Sequence, residues 1–446
     1  MDKKRRIVAK RIGVIGAGPA GLAVARVLLA ENRTNPSCFS VTVLERSNDI
    51  GGVWNYTPDP VCHYNVPQET AQAVLTSYDE RSGATGGFPT PIYDDLHTNL
   101  PTDVMQYPGF PFNAAEFPDH KQVCDYVHRY CDHHNLRRVV QLNMQVERIR
   151  YKSNAEWVCQ VRRLDYEGTI EDLVFDAMVV CTGRTTHPYI PQVPGLNALA
   201  LRKGPRCVLH AKEYRRASDF VGKTVLVVGG ASSGSDISRQ LSYMAAKVYV
   251  SVSHAKEGEL EPKLGMGCKV EIERRPRIQS IGDSVVFADG SQIPIPDHII
   301  YATGYLSAYP FIRTEDLSDK KKIAPFTDGH GVNDLYKRLL YIHNPTLAIL
   351  GVPVKVVPFP LFEYQAMFLA KVFQGAVNLP RFEQMQKEWD EFAKNGSSVM
   401  GMAQVEYQNE LVDLVKHCNP HLPYVPSEWV DRRKRTFELR LKNLGY

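Results

Sequence analysis

The sequence predicts an α/β fold, because an apolar strand twice runs into a glycine-rich turn and then into a helix. Residues 12–15 lead into the motif GAGPAG, and residues 225–228 lead into GGASSG. A strand, a glycine turn and a helix in this order are typical of a Rossmann-like dinucleotide-binding unit. We therefore predict two such units in one chain, an arrangement that suits two nucleotides that meet.

The first glycine turn has the spacing that a pyrophosphate requires. Gly16 permits a sharp bend, Gly18 lets the backbone approach the ligand, and Gly21 lets the helix pack closely on its strand. The helix N-terminus then presents unpaired N–H groups to the phosphates. The next predicted strand, residues 39–44, is followed by Glu45, at about the spacing where a carboxylate binds a ribose hydroxyl. These features predict FAD or NAD at the first turn.

The second glycine turn departs from this pattern. Gly229 and Gly234 hold its outer positions, but Ala231 replaces the middle glycine. Hydroxyl groups that can donate to a phosphate surround this position, on Ser232, Ser233 and Ser235. The alternative is a Rossmann-like unit that binds no ligand.

The end of the following strand favours NADP(H) at the second turn. This strand covers residues 248–251, and no carboxylate stands at its end. The polar side chains there carry hydroxyl or basic groups, and they belong to Ser251, Ser253, His254 and Lys256. A carboxylate there would repel a ribose phosphate, whereas hydroxyls and a cation would not.

Composition and charge narrow the possible classes of protein. The chain has 446 residues, 43% of them hydrophobic, so it can bury a large core and should form two or three domains. Its formal net charge of +4 gives no reason to expect nucleic acid as a partner. We expect no transmembrane segment and no secretory signal, because no apolar run is long enough for either.

The nine cysteines are isolated along the chain, with no CxxC pair. This spacing argues against a zinc site and against a redox-active dithiol. Isolated thiols fit a reducing compartment, so the cytoplasm is the expected location. The sequence leaves open whether the chain forms a homo-oligomer.

The two units end alike, which indicates that one is inserted into the other. Each closes with a predicted strand before a Thr-Gly pair, at residues 182–183 and at residues 303–304. Prolines make the entering link stiff and extended. We predict a first domain over residues 1–185 and 313–446, and an inserted domain over residues 186–312.

Four further segments have distinct patterns. Residues 57–93 are rich in Pro, Gly, Thr and Ser, which predicts a long surface loop. Apolar spacing predicts a helix over residues 119–135 and a strand over residues 175–180. Residues 427–444 predict a basic amphipathic surface helix, with a membrane anchor as the less favoured alternative.

A series of motifs along nearly the whole chain resembles flavin-containing monooxygenases, most closely the soluble fungal members of the thiol-oxidising type. In chain order the motifs are GAGPAG, GGVWNY, YDDLHTNLP, YPGFPF, GGASSG, ATGY, HNPTLAILGVP and PFPLFEYQA. Such an ordered series is more specific than any single motif. The resemblance implies an FAD-binding domain at the first glycine turn and an inserted NADP-binding domain at the second.

The resemblance also implies which residues bind the cofactors. At the first turn they are Gly16, Ala17, Gly18, Pro19, Ala20, Gly21, Glu45, Val53 and Trp54, joined beside the flavin ring by Thr98, Asn99 and Leu100. At the second turn they are Gly229, Ser232, Ser233, Gly234 and Ser235. Asn99 is implied as the catalytic residue, because its amide both donates and accepts hydrogen bonds. The alternatives are a core role for Trp54 and a turn role for Asn99.

One motif of the family, FxGxxxHxxxY before the second turn, is incomplete. His210 and Tyr214 hold its last two positions, whereas Gly204 and Arg206 stand in place of its Phe and Gly. His210 is therefore either a nucleotide contact or a linker residue bonded to the backbone. Tyr214 replaces the Trp of the related Baeyer–Villiger enzymes, which favours oxygenation of heteroatoms.

By resemblance, the chain is an FAD-dependent monooxygenase of the N,N-dimethylaniline type that uses NADPH and O2. NADPH reduces the flavin, the reduced flavin forms a C4a-hydroperoxide, and a small soft nucleophile (a thiol, sulfide or amine) takes up the oxygen atom. The alternatives are a Baeyer–Villiger or N-hydroxylating flavin monooxygenase and an NADP-binding sensor without catalysis. A disulfide reductase is disfavoured, because it requires a reactive cysteine pair.

Overall fold

The computed structural model describes residues 6–36, 38–60, 62, 64–72, 74, 88–152, 154–165, 168–204, 206–254, 269–317, 326–395 and 399–445. Part of the predicted loop over residues 57–93, together with Lys256 and Cys268, lies outside the described residues. The helices of the described part are α1 (Pro19–Thr34), α2 (Thr102–Met105), α3 (His120–His133), α4 (Leu196–Lys203), α5 (Ser232–Leu241), α6 (Pro358–Phe373), α7 (Phe382–Asn395), α8 (Gln404–Val415), α9 (Ser427–Lys434) and α10 (Thr436–Leu444).

The strands of the described part are β1 (Arg11–Ile15), β2 (Ser40–Leu44), β3 (Val140–Gln141), β4 (Met144–Tyr151), β5 (Trp157–Arg163), β6 (Ile170–Phe175), β7 (Ala177–Val180), β8 (His187–Pro188), β9 (Val208–His210), β10 (Thr224–Val228), β11 (Lys247–Ser251), β12 (Ile272–Arg275), β13 (Ile278–Ile281), β14 (Ser284–Phe287), β15 (Gln292–Pro294), β16 (His298–Tyr301), β17 (Tyr305–Leu306), β18 (Leu335–Tyr336), β19 (Leu340–Tyr341) and β20 (Leu347–Ile349).

The first nucleotide-binding unit is built on a seven-stranded sheet in the order β18-β19-β20-β7-β1-β2-β3. Neighbouring strands from β20 to β3 are parallel, and β18 and β19 extend one edge as antiparallel strands. α1 packs against α6 in a core that buries Leu22, Leu28 and Phe368. Strands from the beginning and from the last third of the chain thus share one sheet.

The second unit is built on a five-stranded parallel sheet in the order β12-β11-β10-β16-β9. All of its strands come from the stretch between Val208 and Tyr301, and α5 follows β10 as α1 follows β1. The predicted fold class, two Rossmann-like units with one inserted into the other, is therefore confirmed. The boundaries near residues 186 and 312 stay a prediction.

The two connections between the units run side by side. β8 on the way into the inserted unit pairs antiparallel with β17 on the way out, with Tyr305 opposite Pro188 and Leu306 opposite His187. Two smaller antiparallel sheets complete the fold, β4-β5-β6 in the first unit and β13-β14-β15 in the second.

Two predicted elements differ in the structure. The strand predicted over residues 175–180 is interrupted at Asp176, so Phe175 ends β6 and β7 begins at Ala177. The Asp176 carboxylate accepts hydrogen bonds from the backbone N–H groups of Lys10 (2.9 Å) and Arg11 (2.8 Å), which draw this residue out of the ladder. The prediction of one continuous strand was wrong for this reason.

The C-terminal segment forms two helices instead of the single helix predicted over residues 427–444, because a turn at Arg435 interrupts the helix between α9 and α10. α9 packs on α2, where the Trp429 indole N–H donates to the Val104 carbonyl (3.0 Å) and Arg432 pairs with Asp103 (2.7 Å). Among the helices of the described residues, none is long and apolar enough to cross a membrane.

Candidate nucleotide-binding and active site

The first glycine turn has no space for side chains at its two outer glycines. Gly16 has a φ of +102°, and a Cβ atom added there would lie 2.7 Å from the carbonyl oxygen of Cys181. A Cβ atom on Gly21 would lie 1.9 Å from the carbonyl oxygen of Gly16. The bend and the close packing of α1 on β1 therefore both require glycine.

A second glycine segment lies against this turn. Gly51 donates its backbone N–H to the Ala17 carbonyl (3.1 Å), and a Cβ atom on Gly52 would lie 2.8 Å from the Cα atom of Gly18. This contact brings the 3₁₀ turn Gly52–Trp54 to the N-terminus of α1. Of the sequence-predicted residues, Ala17, Gly18, Pro19, Val53 and Trp54 are thus brought together; Trp54 is half-buried at the edge of the first core.

Glu45 binds the same turn from the end of β2. It is buried, and its carboxylate accepts hydrogen bonds from the backbone N–H groups of Ala17 (2.7 Å) and Ser47 (2.9 Å). No side chain caps the N-terminus of α1 within the described part of the chain, so its first N–H groups are left for a ligand to bind. A glycine cradle, a free helix N-terminus and a carboxylate at the next strand are the parts that hold FAD in a Rossmann-like unit, so the residues present fit this cofactor.

The loop that carries Asn99 is fixed by its neighbours. Thr98 is buried, its hydroxyl donates to the Leu100 carbonyl (2.8 Å), and its backbone N–H donates to the Pro118 carbonyl (2.9 Å). Leu100 packs on the first core, whereas the Asn99 side chain is exposed. The loop therefore presents the Asn99 amide to the solvent side from a rigid backbone.

The second glycine turn repeats the backbone of the first. Gly229 has a φ of +110°, and a Cβ atom on it would lie 2.6 Å from the Ala302 carbonyl oxygen. A Cβ atom on Gly234 would lie 1.9 Å from the Gly229 carbonyl oxygen. Ala231, at the middle position, has a φ of −78° and its counterpart Gly18 a φ of −76°, a conformation that any residue adopts. The second turn therefore fits a pyrophosphate as the first does.

The serines of the second turn differ in what they bind. Ser232 and Ser233 are exposed at the N-terminus of α5, where a phosphate would lie. The Ser235 hydroxyl instead donates to the Gly230 carbonyl within the turn (3.1 Å).

The ends of β11 and β12 present a serine and an arginine side by side. Ser251 is buried and its hydroxyl donates to the Pro276 carbonyl (2.8 Å), so this hydroxyl is already bonded within the protein. Ser253 is exposed and its hydroxyl accepts a hydrogen bond from Nε of Arg277 (3.0 Å), which is exposed as well. Arg277 was missed at the sequence level, because it follows β12 and reaches Ser253 only through the pairing of β12 with β11.

His210 is bonded to the backbone, as in one of the two roles left open by the sequence, but it ends β9 of the second sheet and does not lie in a linker. It is fully buried; its Nε2 lies 3.0 Å from the Gly304 carbonyl and its Nδ1 accepts from the backbone N–H of Lys212 (3.1 Å). Burial lowers the pKa of His210 to about 3, so the ring is neutral and carries its proton on Nε2. Tyr214 is buried in the second core, and its hydroxyl lies 3.0 Å from the Gln240 side-chain oxygen.

The eight cysteines among the described residues are all free thiols. Burial raises the pKa of several of them, including Cys62 and Cys124, each to about 11. A protonated thiol is a poor nucleophile, so these side chains do not have the electrostatics of a redox-active cysteine.

Comparison with known proteins decides the family. The flavin-binding monooxygenase-like family matches residues 78–258 and 262–426, and the NAD(P)-binding Rossmann-like domain matches residues 14–81. The chain belongs to the flavin-binding monooxygenase family. Its cofactors are FAD and NADPH, as predicted, and the resemblance drawn from the sequence motifs is confirmed.

The relatives described here by name cover nearly the whole length of this flavin-binding monooxygenase. Flavin-containing monooxygenase FMO GS-OX-like 9 of Arabidopsis thaliana is 31% identical over 94% of this chain and 86% of its own. The structure of S-allyl-L-cysteine S-oxygenase from Allium sativum is 27% identical, with a TM-score of 0.79 over 98% of this chain and 94% of that one. The structure of Tmm from Pelagibacter sp. shares the fold, with 22% identity and a TM-score of 0.73 over 96% and 90% of the two chains.

Proposed function

We propose that this monooxygenase transfers one oxygen atom from O2 to a soft nucleophile of a small molecule, foremost the sulfur of a sulfide or thiol, and also an amine nitrogen. The observation that carries the proposal is the full-length likeness to an enzyme whose name states S-oxygenation of S-allyl-L-cysteine. For a sulfide the reaction balances when one sulfide, one O2, one NADPH and one proton give one sulfoxide, one NADP⁺ and one water. Two electrons from NADPH and two from sulfur reduce O2.

The first glycine turn would hold FAD. The residues that would contact it are Gly16, Ala17, Gly18, Pro19, Ala20, Gly21, Glu45, Val53, Trp54, Thr98 and Leu100. When bound, FAD supplies the redox chemistry, by accepting a hydride from NADPH and activating O2. The protein orients the cofactor, with the helix dipole of α1 toward the pyrophosphate and the buried Glu45 carboxylate near the ribose.

The second glycine turn would hold NADPH, with contacts from Gly229, Ser232, Ser233, Gly234 and Ser235. Ser253 and Arg277 are the residues that we assign to the ribose 2′-phosphate. They lie beside this turn. Val252, the residue before Ser253, packs on the turn so closely that a Cβ atom on Gly230 would lie only 2.6 Å from its methyl group. A hydroxyl and a guanidinium 3.0 Å apart form a pair of donors for one phosphate.

Asn99 is the residue that we assign to the reacting oxygen. Its amide group has a donor and an acceptor and does not titrate, so it can orient an oxygen species without changing its protonation. The hydrogen bonds of Thr98 hold the loop that presents it. The role of Asn99 is therefore that of a fixed polar contact and not of an acid or base.

The test is product analysis with the purified holoenzyme. It is incubated with NADPH and O2 and with S-allyl-L-cysteine, N,N-dimethylaniline or cyclohexanone, and oxygen uptake is measured beside the mass of the products. We expect a sulfoxide formed in near-stoichiometric amount with NADPH consumed. A lactone as the main product would show a Baeyer–Villiger enzyme, and nucleotide binding without oxygen uptake would show a sensor; either result contradicts the proposal.

A further inference from the structure

Tyr93 belongs to the first unit by its place in the chain, but its side chain lies in the core of the second. It is 6% exposed and packs in the cluster that contains Tyr214 and Ile237. The rings of Tyr93 and Tyr214 meet edge to face, with centroids 5.4 Å apart. The segment before Asn99 is thus anchored in the NADP-binding unit.

The Tyr93 hydroxyl binds the helix that follows the second glycine turn. It donates to Oδ2 of Asp236 at 2.6 Å, and Asp236 lies one turn beyond Ser232, at the N-terminal part of α5. Asp236 itself is held in place, because it accepts from Arg239 (2.7 Å) and from the Gln240 amide (3.1 Å). The hydroxyl therefore joins two rigid groups.

A further hydrogen bond joins the same helix to the same segment. The Gln240 amide also reaches the carbonyl of Asp95 at 3.4 Å, while its oxygen binds the Tyr214 hydroxyl. The backbone N–H of Asp94 donates to the Arg215 carbonyl at 2.9 Å, which ties the segment to the link before the second turn. We call Tyr93, Asp236 and Gln240 the interlock.

The segment between Tyr93 and Asn99 is held by backbone hydrogen bonds, so the position of Tyr93 in the interlock affects the position of Asn99. The backbone N–H of Leu96 donates to the Tyr93 carbonyl (3.1 Å), and the backbone N–H of His120, at the start of α3, donates to the Leu96 carbonyl (3.2 Å). Thr98 is held by the Pro118 carbonyl (2.9 Å). The short stretch from Tyr93 to Asn99 therefore consists of bonded turns instead of a free loop.

We propose that Tyr93 is a positioning residue that sets Asn99 relative to α5, through its hydrogen bond to Asp236. The inference rests on the proposed function for the place of NADPH at the second turn. A nucleotide phosphate bound at the N-terminus of α5 would thereby be coupled to Asn99 through protein bonds. Misplacement of a reacting group by about 1 Å costs on the order of a hundredfold in rate, so such a bond affects catalysis without touching the substrate.

The experiment measures hydrogen–deuterium exchange of the backbone amides of residues 93–99 in the FAD-loaded protein. The probe is adenosine 2′,5′-bisphosphate, which carries the phosphates of the adenosine half of NADP but lacks the nicotinamide, the part of NADP that the proposed function places beside Asn99. In the parent we expect the probe to slow exchange in this segment roughly threefold or more. In Tyr93→Phe, which keeps the ring in the core, we expect the probe to bind with a dissociation constant within about threefold of the parent and the protection to disappear.

The catalytic readout separates positioning from folding. Tyr93→Phe should retain FAD and its affinity for the probe, while sulfoxide formed per NADPH falls about tenfold and hydrogen peroxide rises in its place. Asp236→Asn keeps an acceptor for the Tyr93 hydroxyl and should retain most of the coupling. Asp236→Ala also removes the acceptor for Arg239 and Gln240, so it should lose at least as much coupling as Tyr93→Phe. The double variant Tyr93→Phe/Asp236→Ala should be no worse than Asp236→Ala alone.

The control is Tyr243→Phe, which removes a hydroxyl 3.3 Å from Arg239 near the same helix without a bond to residues 93–99. It should leave exchange and coupling at the parent level. Parent-like protection in Tyr93→Phe, absence of protection in the parent, or loss of FAD from Tyr93→Phe would each overturn the proposal. Failure of the parent to oxygenate any sulfide or amine would instead contradict the proposed function, since the exchange measurement does not depend on turnover.

Discussion

The two glycine turns share one backbone geometry and differ at the end of the strand that follows. A Cβ atom on Gly21 or on Gly234 would lie 1.9 Å from the carbonyl oxygen of the first glycine of its turn. After the first turn, the next strand leads to the buried carboxylate of Glu45. After the second turn, the next strand leads to the exposed Ser253, which Arg277 contacts from the end of β12. The glycines therefore determine the shape of each cradle, and we propose that the residues after the neighbouring strands select its nucleotide.

The largest effect is expected from substitutions that disrupt the backbone geometry shared by the two glycine turns. Gly21→Val and Gly234→Val each place carbon where a carbonyl oxygen lies, and we expect a loss of about 3 kcal/mol or more in the stability of the unit concerned. Gly21→Val should yield colourless protein without FAD. Gly234→Val should keep FAD and lose NADPH binding, as measured by flavin absorbance and by calorimetry with NADP⁺.

Gly18→Val is the matched variant for the first turn, because its Cβ atom would lie an ordinary 3.4 Å from Gly52 and its φ is −76°. It should fold and still fail to bind FAD, since the added atoms lie where the backbone approaches the ligand. A yellow Gly18→Val protein would contradict the FAD assignment.

The next effect concerns the loop where the ligands of the two turns would meet. Asn99→Ala should retain FAD and NADPH and lose about a hundredfold in oxygen transfer, the effect of removing one preorganised hydrogen-bond donor. Hydrogen peroxide should replace the product, as measured by a peroxide assay beside NADPH consumption. Unchanged product per NADPH in this variant would remove Asn99 from the mechanism.

A smaller effect concerns β9, the edge strand of the second sheet. His210 is buried in its neutral form, and burial lowers its pKa to about 3. As the pH falls below about 6.5, the His210 ring therefore binds a proton in the unfolded chain but not in the folded chain. The free energy of unfolding of the parent is therefore about 2 kcal/mol lower at pH 5 than at pH 7. This contribution of His210 is fully present above the pKa of the unfolded chain and is lost as the pH falls below it. In His210→Gln the difference between the two pH values should shrink by that amount in urea unfolding.

An equal pH dependence of His210→Gln and the parent would show that His210 does not titrate on unfolding as its burial implies. The test compares the change in stability between the two pH values, because desolvation also lowers the pKa of the half-buried His187 to about 3. Its contribution is present in both proteins and cancels.

The smallest effect sharpens the comparison of the two strand ends. Arg277→Gln should raise the KM for NADPH about tenfold and leave the KM for NADH unchanged, since it removes one charged hydrogen bond to the 2′-phosphate. Ser251→Ala serves as the control, because the Ser251 hydroxyl is bonded to Pro276. Initial rates of flavin reduction with the two nucleotides measure the effect, and equal changes for NADPH and NADH would contradict the assignment.

The sequence was sufficient for those parts of the site that lie within one strand, turn and helix. Gly16, Gly21 and Glu45 form a local pattern, so their spacing alone predicted the cradle. Arg277 could not be found in this way, because it meets Ser253 only when β12 pairs with β11 so that Arg275 lies opposite Ser251. Each partner lies two residues beyond that pair, and only the sheet register shows it.

The interlock was invisible in the sequence for the same physical reason. Tyr93 and Asp236 are 143 positions apart and meet across the two units. Hydrophobic periodicity describes which face of an element is buried, but not which distant element covers it. The break at Asp176 had a similar cause, since the backbone groups that bind it come from the start of β1.

The side-by-side connections β8 and β17 have a consequence for protein engineering. Because these two strands pair in one small ladder, removal of the chain between them would leave two ends close together. All strands of the seven-stranded sheet lie outside the stretch from β8 to β17, so such an exchange would leave that sheet unbroken. The ladder is thus a suitable place to replace the unit that binds the electron donor.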